Sequence, residues 1–172
     1  IEGCSGGGGR FDAGMLYYTP QIWCSDNTDA IERLKIHYGT SFGYPMSTVA
    51  SHVSECPNEQ NNRVTPFKTR GICAMQGAFG YEMDLSVISE EDKKCAKEQI
   101  AVYNQHYELF QKGEYYRLSS PFQNNDFTAW SYVSEDKKSA VLSVVYTDLH
   151  GNPSPMRIKW KGLLKEAVYE LN

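Results

Sequence analysis

The sequence predicts an α/β half followed by an all-β half, and three observations carry that prediction. Up to about residue 85, short apolar runs alternate with helical stripes. One long amphipathic stretch follows and closes near residue 113, and beyond it the hydrophobic period switches to two.

The chain opens on Ile1-Glu-Gly-Cys4-Ser, then four glycines, Gly6 to Gly9, then Arg10-Phe11-Asp12. Successive glycines permit backbone angles closed to other residues and let a ligand approach bare peptide groups. Residues 22–25 read as strand, the Asp-Asn-Thr-Asp run at 26–29 offers several N-caps, and Ile31, Leu34 and Tyr38 form the stripe of a helix from about residue 28. Asp26 thus sits where a strand hands over to a helix, the position at which α/β barrels present their chemistry. The residues alone leave it either a cap or a reactive carboxylate. Trp23 reads as a core aromatic.

Residues 43–53 and 71–78 read as further strands separated by a polar loop, completing the βα alternation of half a barrel. His52, ending the first of these, is either a hydrogen-bonded structural histidine or a substrate contact. Ser89-Glu-Glu-Asp92 is a near-complete capping box, and it opens a helix with Ala96, Ile100, Tyr103, Tyr107 and Phe110 on one face and Gly113 at its end. Runs at 115–118, 128–133, 139–147, 156–161 and 167–171 read as five strands, with turns at 134–138 and 150–153, which suggests an antiparallel sheet or sandwich. Residues 1–113 and 114–172 are the expected domains.

Composition narrows the class. A net charge of −4 and a pI near 5.6 leave no footprint for nucleic acid or an anionic membrane. No apolar run approaches the ~20 residues that span a bilayer. Five cysteines, at 4, 24, 56, 73 and 95, are odd in number and lack disulfide-scaffold or zinc spacing, which points to a reducing cytoplasm. Twelve tyrosines suit sugar faces, but a rich core explains them equally well.

Two chemistries fit the front of the chain. Cys4 and Arg10 bracket five residues around Gly7, the spacing of a cysteine-phosphatase loop in which a thiolate attacks phosphorus. Gly3 and Phe11 stand where that loop usually has His and Ser or Thr. The other chemistry is glycoside cleavage. Cys-Ser-Gly-Gly-Gly-Gly-Arg-Phe-Asp at 4–12, Ser-Asp-Asn-Thr-Asp-Ala-Ile-Glu-Arg-Leu at 25–34, Ser-His-Val-Ser at 51–54, Arg-Val-Thr-Pro at 63–66 and Phe-Gly-Tyr-Glu-Met-Asp-Leu at 79–85 resemble the bacterial α-galactosidases of glycoside hydrolase family 36. A non-catalytic sugar-binding or structural role is the third reading.

The resemblance implies the C-terminal half of a (β/α)8 TIM barrel followed by an antiparallel β-sandwich remote from catalysis. It implies Asp26 as general acid/base, and Cys4, Gly7, Arg10 and Asp12 as the galactose pocket, although an Arg and an Asp two residues apart can equally tie down their own loop. It implies an α-galactoside substrate of the raffinose or melibiose type, no metal or organic cofactor, and a whole protein that is a homo-oligomer, a tetramer. Gly3, Cys24 and Glu59 depart from the family pattern without removing a residue given a chemical role.

Retaining glycosidases need two carboxylates about 5 Å apart. The family keeps its nucleophile in a Lys-Trp-Asp segment that these residues lack, so the chain is expected to be a C-terminal fragment. Alone it is expected to hydrolyse nothing, and to dimerise or aggregate through an unpaired sheet edge.

Overall fold

A computed structural model describes residues 1–172 apart from Ser5, Gly7, Asn124, Asn125, Pro153 and Ser154. The front of the chain is built from short parallel strands. Strand β1 (Glu2–Gly3) pairs with β2 (Gln21–Ile22), β3 (Ala50–Ser54) pairs with β4 (Ala78–Glu82), and a parallel bridge from Ile22 to Val49 joins the two pairs. Neighbouring parallel strands require crossovers, and helices α1 (Ala13–Tyr18), α2 (Ala30–Thr40) and α3 (Phe67–Ala74) supply them.

The crossover chemistry is local. Asp12, Asp29 and Ser89 each accept a backbone N–H three residues on and so cap α1, α2 and helix α4 (Glu90–Gln105). On α2 the buried positions are Arg33, Leu34 and His37, so the expected stripe of Ile31, Leu34 and Tyr38 is rotated towards a polar pair.

Two expected strands are corrected. Residues 71–74 belong to α3, and the strand begins only at Ala78. The small residues Gly71, Cys73 and Ala74 bury against neighbours in helical geometry, and Gly71 leaves room for Gln99, whose amide a Cβ would meet at 2.2 Å. The expected strand at 43–53 is a short 3-10 turn (Met46–Thr48) before β3. The long helix also breaks, at His106, into α4 and α5 (Tyr107–Lys112), which shifts its buried face to Ala96, Gln99, Tyr103 and Phe110. Ile100 and Tyr107 are left nearly half exposed.

The rear of the chain is an antiparallel meander of β5 (Glu114–Arg117), β6 (Phe127–Val133) and β7 (Ala140–Tyr146). One hydrophobic cluster joins both regions: Leu34, Val49 and Cys73 from the front pack with Phe110, Trp130 and Tyr132. The Tyr132 hydroxyl donates to the Gln76 carbonyl, so the central strand of the meander is bonded to the end of α3.

The strands expected at 156–161 and 167–171 form no ladder among the described residues. That stretch crosses the meander through other contacts. Gly162, at φ +83°, fits under the Tyr116 ring, Lys161 Nζ donates to the Arg117 carbonyl, and the Tyr169 hydroxyl donates to the Lys137 carbonyl.

Candidate active site

The carboxyl ends of the four parallel strands converge on one face. The glycine loop leaves β1, residues 23–28 leave β2, residues 55–60 leave β3, and Met83 and Asp84 leave β4. A groove of about 320 Å³ opens there, lined by Thr28, Ser54, Asn58, Glu59, Glu82 and Asp84 among others.

Gly8 brings the glycine loop against the segment that follows β2. Its φ is +91°, and a Cβ would stand 2.6 Å from the Cys24 carbonyl oxygen, so only glycine permits this approach. Phe11 anchors the end of the loop, stacking on Tyr44 at 4.2 Å and accepting the Tyr44 hydroxyl on its carbonyl at 2.9 Å. The loop is thus pressed onto the segment that carries Asp26.

Asp26 is exposed, and among the described residues its carboxylate has no hydrogen-bond or ion-pair partner. The cap of α2 is Asp29, which is 2% exposed and also pairs with Arg63. The cap of α2 thus falls to Asp29 and not to Asp26. The backbone around Asp26 is tied down. Buried Arg33 donates to the Ser25 carbonyl at 2.6 Å, to the Asn27 carbonyl at 2.6 Å and to Cys24 Sγ at 3.2 Å. Gln60 donates to the Asp26 carbonyl at 2.9 Å and accepts the Thr28 N–H at 3.3 Å.

Burial draws the Arg33 pKa down, while Cys24, Glu82 and Asp26 push it back up. Burial raises the Cys24 thiol against the pull of Arg33, leaving it a neutral partner of the guanidinium. Arg33 also lies 4.4 Å over the Trp23 ring, and Trp23 meets the His52 ring at 4.8 Å. Burial lowers the His52 pKa, opposed by Glu2 and Glu82, which favours a neutral imidazole. Gly80 gives His52 its space, since a Cβ there would stand 2.8 Å from the ring. Trp23 and His52 therefore meet as a tilted ring pair, with Arg33 over the Trp23 ring.

Of the expected pocket residues, Cys4 and Arg10 are exposed, and Gly7 lies outside the described residues. Asp12 spends one oxygen on the Met15 N–H at 2.9 Å. Arg10 makes no hydrogen bond or ion pair with it among the described residues, so the loop is tied by Phe11 and the cap rather than by an Arg–Asp pair. Sequence reasoning missed Arg33 and Gln60. Arg33 left a faint signal, a charge in the buried helical face shared with Leu34 and His37.

Comparison with known proteins decides the family. The model described as Melibiase matches residues 1–113, and that of the glycosyl hydrolase family 36 C-terminal domain matches residues 127–172. The chain belongs to the melibiase family. The chain is 53% identical over 169 residues to the bifunctional α-galactosidase/sucrose kinase AgaSK of Mediterraneibacter gnavus, covering 98% of this chain and 18% of that protein. A solved α-galactosidase AgaA variant of Geobacillus stearothermophilus, in complex with 1-deoxygalactonojirimycin, superposes with a TM-score of 0.93 at 49% identity, covering 96% of this chain and 23% of that one. Another AgaA variant, in complex with raffinose, gives a TM-score of 0.91 at 49% identity, over 94% and 22% of the two chains.

The chain spans about a fifth of the length of the curated relatives it matches. These neighbours are consistent with a portion of a TIM barrel followed by a C-terminal domain. The phosphatase reading of Cys4 and Arg10 is not supported. The relatives are glycosidases, and the helix after the loop already has its N-terminus filled by the Asp12 carboxylate, where a phosphate-binding loop would present free N–H groups. No helix among the described residues is long and apolar enough to cross a membrane.

Proposed function

We infer that these residues form part of an α-galactosidase that removes terminal α-D-galactosyl groups with retention of configuration, Asp26 acting as general acid and then as general base. The observation that carries the reading is the exposed, unengaged Asp26 carboxylate, held beside the glycine loop by a fixed backbone. The names of the relatives and the raffinose complex of AgaA support an α-galactoside substrate of the raffinose or melibiose type.

The second carboxylate, the nucleophile, comes from outside these residues. As that carboxylate attacks the anomeric carbon, Asp26 in its acid form delivers its proton to the departing glycosidic oxygen. Once the nucleophile is glycosylated its charge is gone. Asp26, left as a carboxylate by that proton transfer, then takes a proton from the incoming water as it attacks the anomeric carbon. Cys4, Gly7, Arg10 and Asp12 shape the galactose pocket. For Asp12 this leaves the carboxylate oxygen that does not cap α1.

The same reading makes residues 1–113 the C-terminal half of the barrel and residues 114–172 a β-sandwich domain, supported by the two family-model matches. It includes a cytoplasmic location, supported by five free cysteines, and a homo-oligomeric, tetrameric whole protein. The test is nitrophenol release from a nitrophenyl α-galactoside by the whole protein. Asp26→Ala is expected to slow steady-state turnover strongly, with azide restoring part of it, and turnover as fast as that of the unaltered enzyme would reject the assignment.

A further inference from the structure

Three successive carbonyls around Asp26 are held from two sides. From below, the Arg33 guanidinium, on a residue only 4% exposed, grips the carbonyls of Ser25 and Asn27. From above, the Gln60 side chain reaches across from the loop after β3 and takes the carbonyl of Asp26 itself, while its amide oxygen receives the Thr28 N–H. The Gln60 loop is itself braced. Asn58 is 4% exposed, accepts the Gln60 N–H at 3.0 Å and donates to Thr28 Oγ1 at 2.9 Å.

Every one of these bonds ends on backbone or on Thr28, and none touches the Asp26 carboxylate. The arrangement fixes where the side chain starts while leaving the carboxylate free to exchange a proton. We propose that Gln60, with Arg33 beneath it, is a positioning residue that sets the reach of the Asp26 carboxylate towards the leaving-group oxygen. The proposal rests on the reading of Asp26 as general acid/base.

Gln60 is exposed and lies on a loop, so it can be replaced without opening the core. An acid matters only where the leaving group needs its proton. A displacement of about 1 Å can cost up to roughly 100-fold in such a step. A purely structural loss would slow every substrate alike.

The experiment uses the whole protein, comparing Gln60→Met with the unaltered enzyme on melibiose, whose sugar leaving group needs protonation, and on a dinitrophenyl α-galactoside, whose leaving group does not. Gln60→Met should lower kcat/KM for melibiose by about 10- to 100-fold and leave it unchanged for the dinitrophenyl substrate. For the latter, kcat and KM should fall together, because the base-assisted second step slows, and azide should restore kcat. Gln60→Glu keeps the acceptor for Thr28 but removes the donor to Asp26, and it provides a second variant should Gln60→Met lower the melting temperature. Equal losses on both substrates, or none on melibiose, would overturn the proposal. If Asp26→Ala shows no dependence on the leaving group, or the unaltered enzyme turns over neither substrate, the functional reading fails and takes this proposal with it.

Discussion

Acidification from pH 7 to pH 5 should cost the chain about 2 kcal/mol through His37 alone. His37 is completely buried, with Nδ1 facing Gln76 Oε1 at 3.2 Å. Gln76 in turn donates to the Tyr115 hydroxyl, so its oxygen is the atom facing the imidazole, and His37 carries its proton on Nδ1. Nε2 is left without a partner among the described residues. Burial, helped by the charge of Arg33, lowers the His37 pKa to about 3.

The unfolded chain has an ordinary histidine near pH 6.5. Below that value the unfolded state binds a proton that the native state refuses. The contribution of the neutral form is thus fully present above about pH 6.5 and is lost progressively as the pH falls towards 3. The assay is urea unfolding of the whole protein at both pH values, alongside His37→Gln. The variant loses stability at pH 7, but its disadvantage should shrink by about 2 kcal/mol at pH 5, a relative midpoint shift of roughly 1 M urea. Parallel losses in the two proteins would refute the assignment of a neutral, buried His37.

Gly8→Ala forces a side chain into a left-handed backbone and onto the Cys24 carbonyl, so it should cost about 1–3 kcal/mol and impair turnover by the whole protein. Gly6→Ala is the control: Gly6 is also left-handed, at φ +55°, but a Cβ there meets nothing within 4 Å, so turnover should persist. Asp29→Ala removes the cap of α2 and the partner of Arg63, and should lower stability by about 1–3 kcal/mol in urea, with Asp29→Asn costing less because it still caps. An unchanged midpoint in Asp29→Ala would contradict the structural role given to that carboxylate.

The strand-to-helix passage at residues 22–34 was legible because its run of capping residues follows directly on an apolar strand, although the face the helix buries was not. The run at 71–78 was not, because its small apolar residues carry neither period clearly, and packing against Gln99 rather than propensity makes it helical. The β-branched and aromatic stretches after residue 155 read as strands, but a ladder needs a partner, and none lies beside them among the described residues. In the site, Asp26 stood out through its motif. Arg33 and Gln60 act on backbone carbonyls, any of which accepts a hydrogen bond, so no residue type across the contact marks their partners. The coupling between Asp26 and Gln60 spans 34 residues and appears only when β2 and β3 lie side by side.

The role of Asp26 is tested most directly by the product that whole-protein Asp26→Ala makes from an activated α-galactoside in the presence of azide. A general acid/base removed from a retaining enzyme leaves the glycosyl intermediate open to azide from the face that water normally uses, so azide should accelerate turnover and yield α-galactosyl azide. Formation of β-galactosyl azide would make Asp26 the nucleophile, and no response to azide would remove it from the chemistry altogether.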